Sequence, residues 1–166
     1  MSNRTVVIGL GNPLMGDDGV GLVALERLRA EWELPPEVEL VDGGTWGMNL
    51  LPVIEDADQL ILVDAVDTKA RPGTLLVVER ERLPRYLATK ISPHQVDLRD
   101  VLALAELRGT LPQDTVAVGL QPRSLELMVH GLSAVVAARV GELVAAVVAQ
   151  LEERGHVMRP RVPVYA

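Results

Sequence analysis

The sequence predicts a single-domain α/β protein: a three-layer α/β/α arrangement around a mostly parallel five-stranded sheet with one antiparallel edge strand. Three observations predict it. Short β-branched runs alternate with stretches whose apolar residues recur every three or four positions, the two periods of strand and helix. The strand-like runs are apolar almost throughout, as strands covered on both faces must be. The core must also be aliphatic, because 48% of the 166 residues are apolar while Phe is absent and Trp and Tyr number two each.

The elements follow in order. Thr5–Leu10 (TVVIGL) is a buried parallel strand leading into a glycine loop, Gly11–Gly16. Asp17 or Asp18 then caps a helix whose stripe is Val20, Val23, Ala24, Arg27 and Leu28. Val38–Val41 is a second strand, closed by Asp42-Gly43-Gly44, and Met48–Ile54 a short helix. Leu60–Val63 is a third strand that ends at Asp64. Too few residues separate Asp64 from Thr74 for a crossover helix, so Thr74–Val78 pairs antiparallel at a sheet edge. Leu83–Pro93 reads as irregular, Val96–Arg108 as an amphipathic helix stopped by Gly109, and Thr115–Leu120 as the last strand. Ser133 caps a long helix that runs to about Arg154 and ends at Gly155. Residues 1–155 form the domain, and 156–166 an extended tail interrupted by Pro160 and Pro163.

Composition narrows the function. A net charge of −7 argues against a nucleic-acid surface. The absence of cysteine excludes disulfides, thiolate nucleophiles and thiolate zinc sites, and fits a reducing cytoplasm. Met-Ser-Asn-Arg leaves no room for a signal peptide before the first strand. The longest apolar stretch, Ala134–Ala149, carries Arg139 and Glu142 and falls short of the about 20 residues a membrane span needs.

The glycine loop carries two nucleotide-like patterns that fail on inspection. Gly9 and Gly11 begin a G-x-G-x-x-G, but its third position is Leu14. Gly11 and Gly16 have P-loop spacing, yet Asp17 and Asp18 stand where Lys and Ser or Thr belong, and two carboxylates repel a phosphate. The opening G-L-G-N-P resembles peptidyl-tRNA hydrolase for five residues and no further, since no T-R-H-N segment follows. Neither H-E-x-x-H nor G-x-S-x-G is present, and the nearest approach to an aspartic-protease triplet is Asp42-Gly43-Gly44-Thr45.

Carboxylates at strand ends remain. Ligands of open α/β sheets sit outside the carboxyl ends of the strands. Asp17 and Asp18, Asp42, and Asp64 each follow a predicted parallel strand and so crowd one rim, where a cation or proton must separate them. Each alone would be an ordinary turn or cap residue. Of the three histidines, His130 beside a loop glycine and His156 in the tail read as solvated or locally bonded, whereas His94 stands in a loop leading into a helix. Two carboxylates and an imidazole make an N/O site suited to nickel, zinc or iron.

Four segments, in order and spacing, resemble the nickel–iron hydrogenase maturation endopeptidases: GLGNPLMGDDGVG (Gly9–Gly21), DGGTWGM (Asp42–Met48), VDAV (Val63–Val66) and KISPHQ (Lys90–Gln95). The resemblance spans about residues 5 to 155 and is nearest to the branch that processes uptake-type hydrogenases. It implies a twisted five-stranded sheet between helices, metal contacts by Asp18, Asp64 and His94, and a processing role for Asp42, so that Asp18, Asp64 and Asp42 are the implied catalytic set. The implied partner is the hydrogenase large-subunit precursor, cut just beyond a D-P-C-x-x-C-x-x-His/Arg motif once nickel is in place. Nickel is then supplied by the substrate, and zinc or another divalent ion could take the site in a crystal. A nickel-sensing maturation chaperone that cuts nothing, or a peptidyl-tRNA hydrolase-like enzyme, are the competing expectations.

Overall fold

The computed structural model describes residues 3–43, 47–84, 93–126 and 130–162; the side chains of residues 93–99 fall outside that description. β1 (Thr5–Gly9) is followed by a 3-10 turn, Gly16–Gly19, and then α1 (Val20–Glu31). Next come β2 (Trp32–Glu33), β3 (Val38–Asp42), a 3-10 turn at Gly47–Asn49 and α2 (Leu50–Glu55). β4 (Gln59–Ala65), β5 (Leu75–Glu79), α3 (Pro93–Leu107) and β6 (Asp114–Leu120) follow. The chain closes with α4 (Ala134–Ala137), α5 (Val140–Glu153) and β7 (Arg159–Pro160).

The main sheet has the order β3-β1-β4-β6-β5, parallel except for β5, which runs antiparallel to β6 at the edge. The expected five-stranded, mostly parallel architecture is thus the observed one. Period-two alternation divides the core between the two faces. Val6, Ile8, Leu60 and Leu62 pack with Ile54 of α2 and Val101, Leu102 and Ala105 of α3. Val7, Ile61, Val63, Val116 and Val118 pack on the other face with Leu25 and Leu28 of α1 and Leu143, Val144, Val147 and Leu151 of α5. Truncating any of the fully buried Leu or Ile side chains costs about 2–5 kcal/mol.

This order creates a topological switch point. From β1 the chain goes out to β3 on one side; from β4 it goes to the edge strand β5 on the other and returns through α3 to β6. α1 packs on one face of the sheet and α2 and α3 on the other, and in open sheets of this kind ligands bind outside the carboxyl ends of the strands at the switch point, here β1 and β4.

Several local readings are corrected. α1 starts at Val20, and its N-cap position is Gly19, without a side-chain cap; Asp17 and Asp18 lie inside the preceding turn. α3 starts at Pro93 rather than Val96, because proline is well placed in a first helical turn. The C-terminal helix is two pieces broken at Ala138–Arg139, and Ser133 makes no capping bond because its hydroxyl is used elsewhere. The tail is anchored: Arg159 and Pro160 pair with Glu33 and Trp32, and Met158 is buried. His156 is buried too, with Nε2 2.7 Å from Thr5 Oγ1. Among the described residues no helix is long and apolar enough to cross a membrane.

Candidate functional site

The rim of the switch point is built by close backbone approach. Gly9 pairs with Val63 of β4, and Leu10 N–H continues the ladder by donating to Val63 O at 2.9 Å. The first turn of α1 rests directly on this ladder: a Cβ at Gly21 would fall 2.2 Å from Val63 O and 2.6 Å from Leu10 O. Only glycine permits that approach.

The loop between β1 and α1 folds back on itself. Gly11 has φ +112°, and a Cβ there would lie 1.7 Å from the Asp18 carbonyl oxygen. Asn12 N–H donates to Asp18 Oδ2 at 2.8 Å, Leu14 N–H to Asn12 Oδ1 at 2.9 Å, and Met15 N–H to Asn12 O at 3.0 Å. The Gly16–Gly19 turn contacts β4. Asp18 is therefore held at the carboxyl end of β1, against the strand that carries Asp64.

Asp64 lies one step past Val63, in register with Gly119 of β6, and its Oδ1 accepts from Ala65 N–H at 2.7 Å. Asp18 and Asp64 are each only 1% exposed. Asp42 ends β3 in register with Gly9, so it stands on the same rim one strand further out, and it is exposed. His94 is the second residue of α3, which puts it on a helix rather than in the expected loop; its side chain lies outside the described residues. The structure thus brings Asp18 and Asp64 to neighbouring strand ends, with Asp42 beside them. Among the described residues no three His, Cys, Asp or Glu side chains gather at metal-binding spacing. Carboxylate oxygens joined by an imidazole are in general a donor set that suits a borderline divalent ion such as nickel.

The sequence reading placed Asp17 on this rim without its partners and missed Gln121 altogether. Asp17, 1% exposed, accepts hydrogen bonds from Arg123 N–H (2.8 Å), Ser124 N–H (3.1 Å), Ser133 N–H (2.7 Å) and Ser133 Oγ–H (2.8 Å). Gln121, just past β6, knits the segment after β4. Its Nε2 donates to Asp67 Oδ1 at 3.0 Å, and its Oε1 accepts from Thr68 and Ala70 N–H. The Gln121 hydrogen bond is the main reason the Asp67 carboxyl is held below its ordinary range, against an opposing effect of burial. No local pattern announces either residue's partners, because they lie 51 to 116 positions away. An apolar groove of about 260 Å³, lined by Pro13, Gly16, Gly19, Gly131, Leu132 and Ala137 among others, adjoins the same loop.

Comparison with known proteins agrees with this fold. The family described as "Hydrogenase maturation protease" matches residues 23–150. The hydrogenase 2 maturation protease of Escherichia coli K12 is 39% identical over 159 residues, covering 95% of this chain and 96% of that protein. The hydrogenase expression/formation protein HupM of Azotobacter chroococcum is 40% identical over 161 residues, covering 96% and 77%. Among solved structures, the hydrogenase maturating endopeptidase HybD from E. coli superposes with a TM-score of 0.89 at 39% identity, covering 95% of this chain and 98% of that one. With fold and sequence in agreement over nearly the whole length, the chain belongs to the hydrogenase maturation proteases, a family of peptidases.

Proposed function

We propose that this protein is the endopeptidase that removes the C-terminal extension from a nickel-loaded hydrogenase large-subunit precursor, working in the cytoplasm. The observation that carries this reading is the pair Asp18 and Asp64: two carboxylates, each 1% exposed, one in the turn that follows β1 and packs on β4, the other near the carboxyl end of β4. Family membership supplies the reaction class, and this pair supplies a reason for nickel dependence. Buried acidic side chains favour a cation at the rim. The nickel belongs to the substrate. Asp18, Asp64 and the His94 imidazole contact it as the precursor docks, so only a loaded precursor is registered correctly for cleavage.

Asp42 differs in being exposed on the same rim, next to Gly9 in the sheet. In this reading it faces the peptide rather than the metal, and serves the proton transfers that hydrolysis of the peptide bond requires. Hydrolysis adds water across the scissile C–N bond: the oxygen goes to the carbonyl carbon and a proton to the leaving amine.

The test is to incubate the protein with nickel-loaded and nickel-free precursor and follow the mass of the large subunit. Loss of the C-terminal segment from the loaded form alone is expected. Binding of the loaded precursor with no mass loss would make the protein a nickel sensor instead.

A further inference from the structure

Asp17 is adjacent to Asp18 in sequence but differently engaged. Its Oδ2 accepts from Arg123 N–H, Ser124 N–H and Ser133 Oγ–H, its Oδ1 accepts from Ser133 N–H, and its own N–H donates to Ser124 O at 3.0 Å. A carboxylate offers about four lone-pair sites. Three donors converge on Oδ2 and one on Oδ1, so the carboxylate is largely taken up by hydrogen bonds within the protein. They tie the turn that carries Asp18 to two segments that are remote in sequence, one just after β6 and one just before α4.

We propose that Asp17 is a positioning residue, whose carboxylate clamps the glycine loop to Arg123, Ser124 and Ser133 and thereby holds Asp18 at the β1–β4 rim. This rests on the reading of Asp18 as a nickel-facing residue. The Gly16–Gly19 turn has no capping side chain at its N-terminus; it is held locally by the close approach at Gly11 and the Asn12 N–H bond to Asp18 Oδ2, and this clamp is what ties it to the segments after β6 and before α4. A carboxylate is needed, because an amide of the same shape sets an NH₂ group against an N–H donor at one end whichever way it is turned. Asp17→Asn therefore releases either Ser133 N–H or the Arg123–Ser124 pair, with almost no change in volume. Ser133→Ala removes one donor and leaves the rest.

The experiment compares full-length wild type, Asp17→Asn, Ser133→Ala and Asp18→Asn on nickel-loaded precursor, with kcat and KM resolved and a thermal melt for each. The expected result is a folded Asp17→Asn protein whose kcat falls by about 10- to 100-fold, the scale of an ångström-level misplacement, with KM little changed. Ser133→Ala should show a smaller fall in kcat in the same direction. Wild-type kcat in Asp17→Asn beside an inactive Asp18→Asn would overturn the proposal alone. So would a loss that merely follows the unfolded fraction and disappears when a stabilising osmolyte restores folding. If Asp17→Asn fails to fold, Ser133→Ala decides: a folded variant with unchanged kcat overturns the clamp. Full activity in Asp18→Asn would overturn the underlying reading of the site, and the clamp's role with it.

Discussion

Asp64 and Gly119 face each other in register across β4 and β6, and a Cβ at Gly119 would lie 2.1 Å from the Asp64 carbonyl oxygen. The backbone that presents the Asp64 carboxylate is thus packed against a position that admits no side chain. Gly119→Ala should cost about 1–3 kcal/mol by overpacking and shift the end of β4. Its activity should fall further than its melting temperature alone explains. Wild-type stability and turnover would show that the rim tolerates the displacement.

The Asp67–Gln121 bond predicts a component of acid sensitivity. The folded-state pKa of Asp67 lies below its ordinary value of 3.8, chiefly because Gln121 donates to it. Such a group adds stability that is present above the unfolded pKa and is lost as pH falls through the folded value. Urea midpoints measured from pH 7 down to pH 3 should therefore drop less steeply at the acid end in Asp67→Asn than in wild type. Identical acid limbs would contradict the assignment.

At the opposite end of the sheet, His156 offers a control. The Thr5 hydroxyl donates to Gln59 Oε1 at 2.6 Å, so with that proton committed the His156 Nε2–H is the donor in its 2.7 Å contact with Thr5 Oγ1. His156→Ala should cost about 1–3 kcal/mol, the usual scale for disrupting a buried polar pair. It should leave kcat on the nickel-loaded precursor unchanged, because Thr5 begins β1 while the site lies beyond its end. A changed kcat in a fully folded variant would contradict this separation.

The sheet and the position of its acidic rim were legible because both rest on short-range pattern. Apolar runs marked β1, β4 and β6, and an Asp directly after a parallel strand is at its carboxyl end whatever else the chain does. The short span from Asp64 to Thr74 likewise ruled out a crossover, and β5 is antiparallel at the edge for that reason. The failures were of longer range. Ser133 reads locally as a cap, yet its hydroxyl donates to Asp17, 116 positions away. His156 reads as a tail residue until the return of the chain beside Thr5 buries it, a contact across 151 positions. Asp17 and Asp18 look equivalent in sequence, and only the partners of Asp17 distinguish clamp from rim.

The most direct measurement for the whole account is single-turnover processing of nickel-loaded precursor by Asp64→Asn, read as C-terminal mass loss, with a thermal melt alongside. Asp64 is the residue that strand geometry places most firmly, in the centre of the sheet beside the switch point. The account predicts a folded protein that melts at or near the wild-type temperature and leaves the precursor uncut, and the same outcome for His94→Ala. An Asp64→Asn protein that trims the precursor at the wild-type rate would contradict it.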